Sequence, residues 1–353
     1  MNAYDLALSL LLIVLLIARW RRAARGLLTL GATGLLLGSL ALWLLLERWQ
    51  ALAAGMVGLL MLLTLALQHW RGKPRVGSPW FSGSLLGLIS IAALAALYLF
   101  PVLPLPAPDG PHAVGTRSFE LVDHSRLGVM AAADNAPRRL LVRVWYPAKP
   151  LVDAQPVPYF TAAEARSTAR GMGSLLGFAP LLAHARQITS NSVLDAPLAD
   201  IARPLPVVFF NHGYTGFAWQ NSVLMEALAS HGYVVYAVQH SYDASPTLFA
   251  DGTVVPLDPA LVAAMGEQSV SAEMIKGFTS SDFDERLDGQ LANVQQNLDK
   301  RSRIAVLSAP TWEADQRFVH DSLQAGQLPA AVAEVAAASD FSRVGQLGMS
   351  YGG

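Results

Sequence analysis

The chain has 353 residues, 53% of hydrophobic type and 14% charged, with a formal net charge of −1 and a mean hydropathy of +0.36. It contains no cysteine, which excludes disulfides and cysteine-ligated metals. Its charge is unevenly placed: residues 1–105 hold 8 Lys+Arg and 2 Asp+Glu, net +6, and subtraction from 25 and 26 leaves 17 and 24, net −7, for residues 106–353. An acidic second part argues against a nucleic-acid partner, because affinity for phosphate backbones rests on clustered Lys and Arg.

Four apolar stretches fill the first hundred residues: Leu6 to Ala18, Gly26 to Leu46, Trp49 to Gln68 and about Trp80 to Phe100. The last three are long enough for a bilayer core of about 30 Å. The first is shorter, but Tyr4 and a snorkelling Arg19 extend it. A signal peptide would carry positive charge before its apolar core; here Asp5 precedes it and Arg19, Arg21, Arg22 and Arg25 follow, so a retained span is expected. The first and third linkers are basic (Arg19 to Arg25; Arg71, Lys73, Arg75), whereas the second has only Glu47 and Arg48. The positive-inside rule then puts linkers one and three in the cytoplasm, and the amino terminus and everything beyond Pro101 outside it. Trp20, Trp49, Trp70, Trp80 and Tyr98 fall at the span ends, where amphipathic rings sit at headgroup level. These residues predict a four-helix membrane region over 1–100, multi-pass in a bacterial inner membrane.

Residues 101–114 open with a proline-rich stretch, Pro101 to Pro111, which is stiff and extended. The remainder, 115–353, alternates strand and helix patterns. Thr116 to Asp123 and Arg138 to Trp145 read as the first two strands, joined through Ala131 to Pro137. Met172 to Arg186 reads as a helix over the sheet, either a core or cap helix or the lining of an acyl pocket. Pro204 to Phe210 is a β-branched and aromatic run ending in Asn211-His212-Gly213-Tyr214-Thr215-Gly216. Asn221 to Ser230 reads as a helix with Val223, Leu224, Ala227 and Leu228 on one face, and Tyr233 to Val238 as the next strand. Strand, turn, helix and strand in that order form a βαβ unit and predict a mostly parallel, doubly wound sheet. About 250–310 turns polar, as a lid-like insertion would, and Trp312 to Gln324 reads as a helix with Phe318, Val319 and Leu323 inward and an Arg317–Asp321 pair.

The last residues, Gly348-Met349-Ser350-Tyr351-Gly352-Gly353, form a G-x-S-x-G pattern after a short strand at Phe341 to Leu347. In an α/β-hydrolase this pattern is a sharp strand-to-helix turn presenting a nucleophilic serine, and a turn after the third strand supplies one oxyanion NH while the residue after the serine supplies the other. The assignment is Ser350 as nucleophile, with the backbone NH groups of Tyr214 and Tyr351 as the oxyanion hole. The triad Asp and His follow the serine in that fold, so the chain is expected to carry an incomplete hydrolase domain with negligible activity. His212, His231, His240 and His320 precede Ser350 and are expected in turns or at the surface; Asp243 is expected to stabilise a turn. No cofactor and no metal are expected.

Pro206-Val-Val-Phe-Phe-Asn-His-Gly, Ala229-Ser-His-Gly-Tyr-Val-Val and Gln239-His240 resemble the plasma-type platelet-activating factor acetylhydrolase family, as do Val142-Arg-Val-Trp-Tyr-Pro147, Leu194-Asp-Ala-Pro-Leu198 and the terminal motif. The similarity runs from about Gly115 onward. Asn211 stands where that family usually has serine, and Met349 where it has histidine. The resemblance implies a serine esterase removing short or oxidised acyl chains from phospholipids, in lipid catabolism, or a bacterial relative with another small ester. The reading of another class is a membrane-anchored, hydrolase-like binding protein that has lost catalysis.

Overall fold

The structure is a computed structural model describing residues 3–21, 25–71, 79–128, 136–265 and 270–353, without the side chains of 79–83. Arg22, Lys73, Arg75, the Trp80 side chain and most of the expected join at Ala131 to Pro137 lie outside the described residues. The chain divides into two compact units, Met1–Leu105 with Pro158–Thr189, and Pro106–Val157 with Ser190–Gly353.

The first unit contains α1 (Ala3–Trp20), α2 (Arg25–Leu46), α3 (Gln50–Trp70) and α4 (Pro79–Leu99). Of these, α1, α2 and α3 are long and apolar enough to cross a membrane; the described apolar part of α4, Ser84–Leu99, is shorter, so among the described residues there are three candidate spans instead of the four expected. The first stretch becomes a full-length candidate because its helix takes in Ala3 to Asp5 and runs on through Trp20. Leu12, Ala32, Leu35, Ala51, Ala54 and Val57 meet in its core. Small residues let α2 and α3 approach closely: a Cβ at Gly58 would lie 2.7 Å from the Ala32 carbonyl oxygen. Arg48 and Asp5 form a buried ion pair, and Gln50 Nε2 donates to the Phe100 carbonyl at 3.0 Å, so the start of α1, the α2–α3 turn and the end of α4 share one end of the bundle.

The rest of this unit is α5 (Ala162–Glu164), a π-helical turn, α6 (Arg170–Leu175) and a 3₁₀ segment, Ala179–Gln187. The expected helix over the sheet is therefore broken: Gly177 has φ +84° and Pro180 starts the next turn. The segment packs on the helical unit. Trp49 Nε1–H donates to the Leu181 carbonyl at 3.0 Å, Arg186 to that of Leu45 at 3.0 Å and Gln187 to that of Leu46 at 2.5 Å.

The second unit is built on β1 (Ala113–Leu127), β2 (Pro137–Ala148), β3 (Pro156–Pro158), β4 (Thr189–Leu194), β5 (Leu205–Asn211), β6 (Val234–Gln239) and β9 (Ser339–Gly348), with a hairpin of β7 (Thr247–Leu248) and β8 (Val254–Val255) beside them. The order β3-β4-β1-β2-β6-β5-β9 makes a seven-stranded mixed sheet, with β5 parallel to both neighbours and β2 antiparallel to β1 and β6. β5 alternates across two buried faces: Val207 and Phe209 join the cluster containing Val319, Leu323, Val332 and Val335, while Val208 and Phe210 are buried on the other side. The first of these faces is covered by α11 (Ala309–Gln324) and α12 (Ala330–Ala337).

Between β5 and β6 lies α7 (Ser222–Ser230). It buries Met225, Glu226 and Ala229, whereas Val223 and Leu224 are exposed, the reverse of the expected face. Glu226 decides the orientation, because its carboxylate accepts from the backbone NH groups of Asn191 and Ser192 and from the Ser192 hydroxyl. The stretch before α11 contains α8 (Pro259–Met265), α9 (Ala272–Phe278) and α10 (Phe283–Asp299). In α11, Arg317 pairs with Glu313 at 2.6 Å instead of with Asp321, which His320 engages.

Candidate active site

The candidate site lies at the carboxyl ends of β5 and β9, where a βα fold gathers its loops. β9 runs straight into a turn in which Ser350 has φ +54°, a left-handed conformation uncommon for serine. The flanking glycines have steric reasons. A Cβ at Gly348 would overlap the Gly352 carbonyl, and a Cβ at Gly352 would overlap the Asn211 and His212 carbonyls at the end of β5. Met349 N–H donates to the Asn211 carbonyl at 3.1 Å, fastening the turn to that strand end.

The His-Gly turn reaches the same place. A Cβ at Gly213 would lie 3.6 Å from Ser350 Cβ, and the Tyr214 and Tyr351 rings meet edge to face at 5.3 Å between centroids. Tyr214 and Tyr351, from separate strand ends, thus flank one exposed serine. The turn is held by Thr215, at φ +63°, whose NH donates to the Asp243 carbonyl at 2.9 Å. Among the described residues the Tyr214 NH donates to no carbonyl, and no imidazole is hydrogen-bonded to Ser350.

Behind this turn lies a polar network that the sequence did not disclose. His212 and His240 sit in the loops just past β5 and β6, as turn positions would have it, but they are fully buried and not at the surface, while His231 and His320 are partly exposed. His240 Nδ1–H donates to Asp315 Oδ2 at 3.0 Å, and its Nε2 faces Asn211 Oδ1 at 3.2 Å. Arg138 holds both Asp315 oxygens at 2.6 and 2.5 Å, and Arg126 adds a contact at 3.0 Å. Burial pushes the Asp315 carboxyl up, but the Arg138 charge and the hydrogen bonds from Arg138 and His240 outweigh it and bring the group down to about 2. Burial lowers His240, against the pull of Asp315, and burial together with His240 lowers His212 to about 3, so the His212 imidazole is neutral at pH 7. Enclosed on every side, the two imidazoles act as struts clamping α11 to the strand ends.

Trp312 of α11 links network and site. It stacks on His240 at 4.0 Å with planes 10° apart, meets Tyr351 edge-on at 5.0 Å, and donates Nε1–H to Asp243 Oδ2 at 2.7 Å. Asp243 is fully buried, beyond the turn-stabilising role expected of it, and burial raises its carboxyl to about 6. A polar side chain just past a strand end was the available signal; its partners, Trp312 and Thr215, are 69 and 28 positions away in sequence. A cavity of about 460 Å³ opens beside the turn, between β5, β9 and α11, lined by Trp312, Gln316, Val344, Gln346, Tyr351 and Gly352 among others; Ser350 does not line it. Among the described residues no three His, Asp or Glu side chains gather as metal ligands.

Residues 99–256 match the family model of platelet-activating factor acetylhydrolase, isoform II. No curated protein matches the chain. Among solved structures, the ferulic acid esterase from Streptomyces cinnamoneus is similar at 24% identity with a TM-score of 0.45; the match covers 72% of this chain and 56% of that one. The chain therefore spans little more than half the length of that esterase. The residues matched by the family model run from the end of α4 to just past β8 and stop before β9 and the Ser350 turn.

Proposed function

We propose that the protein is a membrane-anchored serine ester hydrolase in which Ser350 attacks the ester carbonyl and the NH groups of Tyr214 and Tyr351 hold the oxyanion. The observation that carries this reading is the strained Ser350 turn at the end of β9, pressed against the His-Gly turn at the end of β5. In such an arrangement two donors from neighbouring strand ends converge where the carbonyl oxygen gains charge. The substrate class is a lipid ester with a short or oxidised acyl chain; the supports are the acetylhydrolase family match over residues 99–256 and the apolar helices that would hold the enzyme at a bilayer. The basic linkers one and three support a cytoplasmic side for both, in a bacterial inner membrane; a hydrolase unit outside the cytoplasm further requires that α4 cross the bilayer as well.

A fluorophosphonate probe tests the nucleophile. In the native gene product it should form an adduct on the peptide containing Ser350 and none in Ser350→Ala; labelling at another serine, or none, contradicts the assignment. The second reading is a hydrolase-like domain that binds esters without catalysis. A native gene product that binds lipid esters without turning them over would establish that reading.

A further inference from the structure

An organised apolar stripe outside the site, in the second unit, lies on α10. Phe283, Leu287, Leu291, Val294 and Leu298 are spaced 4, 4, 3 and 4 apart and are each 42–66% exposed. At 3.6 residues per turn they fall within an arc of about 80°, a narrow straight stripe along the helix. Its opposite side is already occupied. α9 crosses so closely there that a Cβ at Gly289 would lie 2.7 Å from the Glu273 carbonyl and one at Gly277 2.9 Å from that of Glu285, while Asn293 Oδ1 accepts the Ser271 NH at 3.1 Å. The hairpin is thus fixed with its stripe turned away from its own partner helix.

We propose that this stripe is a homodimer interface, formed by α10 packing antiparallel on α10 of a second copy about a two-fold axis near Leu291. Two features select this occupant. The apolar positions are symmetric about the point between Gln290 and Leu291, so an antiparallel copy sets Phe283 against the partner's Leu298, Leu287 against the partner's Val294, and Leu291 beside its own counterpart. Charge favours the same pairing. Asp282, Asp284, Glu285 and Asp288 outnumber Arg286 in the first turns, while Lys300 and Arg301 outnumber Asp299 at the last, so antiparallel pairing brings the more acidic end to the more basic one and opposes the helix dipoles, whereas parallel pairing sets like on like. A bilayer surface fits less well: interfacial helices carry Lys and Arg along the polar face, and α10 carries Asp284, Glu285, Asp288 and Asp299 against one basic residue, Arg286.

The absence of cysteine makes the test clean. In native membranes under mild oxidation, Leu291→Cys should form a disulfide-linked dimer, while Val152→Cys, 92% exposed and off the stripe, should stay monomeric. Leu287→Cys and Val294→Cys expressed together should cross-link far more strongly than either alone. Leu291→Glu should shift the full chain from dimer to monomer in light scattering without changing its circular dichroism. A monomeric wild type, equal cross-linking at Val152→Cys, or a Leu291→Cys thiol shielded from a water-soluble maleimide without a dimer would each overturn the proposal; the last would give the stripe to lipid or to another segment.

Discussion

β5 and β9 are neighbouring parallel strands that end at the same site, yet they are built in opposite ways. β5 lies between β6 and β9 and is buried along nearly its whole length; β9 is the sheet edge, and from Ser342 onward its residues are exposed, including Val344 and Leu347. Their sequences differ in the same sense: β5 is a run of Val and Phe, whereas β9 carries Asp340, Arg343, Gly345 and Gln346 among its apolar residues, so composition and place in the sheet both act on burial. An edge strand with open backbone groups cannot hold a strained serine by itself. The turn is held from the β5 side, through the Met349–Asn211 hydrogen bond and the Gly352 contact with the Asn211 and His212 carbonyls.

The sharpest way to break this contrast is to cut side chains on the two strands. Phe209→Ala, from the buried strand, should cost about 3–5 kcal/mol in denaturant unfolding, and Val344→Ala less than about 0.5 kcal/mol. Equal losses would mean that β9 is covered as β5 is. The ion pairs divide the same way. Removing Arg138 leaves the Asp315 carboxylate buried with only Arg126 and His240, and Arg138→Ala should cost about 3 kcal/mol; Arg343→Ala, whose partner Asp340 keeps its hydrogen bonds from Ser342, should cost far less.

Glycines sharpen the comparison further. Gly348→Ala meets backbone that cannot move aside and should cost about 2 kcal/mol or more, while Gly345→Ala, whose Cβ would sit 3.7 Å from Val208 Cγ2, should be neutral or slightly stabilising; melting temperatures of the two variants decide it. The smallest effect is a pH dependence. Burial raises the Asp243 carboxyl from its ordinary range to about 6, so the folded chain binds the extra proton and this group's contribution to stability falls as pH rises from about 4 to about 6. His212, lowered to about 3, works in the opposite sense over the same range. The readout is therefore the difference between wild type and Asp243→Asn: the variant should gain on wild type as pH rises through this window, and parallel profiles would show that Asp243 is not held protonated.

What was legible in the sequence were features whose signal is local. The apolar stretches, the β5 run with its His-Gly turn, the βα order and the Gly-flanked Ser350 each announce themselves within a few residues. What escaped depends on distant pairing. Asp315 lies 177 positions from Arg138 and 75 from His240, and nothing near any of the three marks them as partners. The same cause misplaced α7, whose buried face follows Glu226 and its distant partners Asn191 and Ser192 instead of the apolar Val223 and Leu224. Met172 to Arg186 reads as a helix over the sheet, but the packing of its second half on Trp49 and the α2–α3 turn is a tertiary fact with no sequence mark.

Steady-state hydrolysis of a short-chain ester by the native gene product, with Ser350→Ala beside it, tests the role of the turn most directly. A nucleophile at Ser350 predicts a loss of kcat on the order of 10³-fold or more, with folding unchanged by circular dichroism. Turnover that survives in Ser350→Ala would place the chemistry elsewhere and leave the β9 turn a structural feature only.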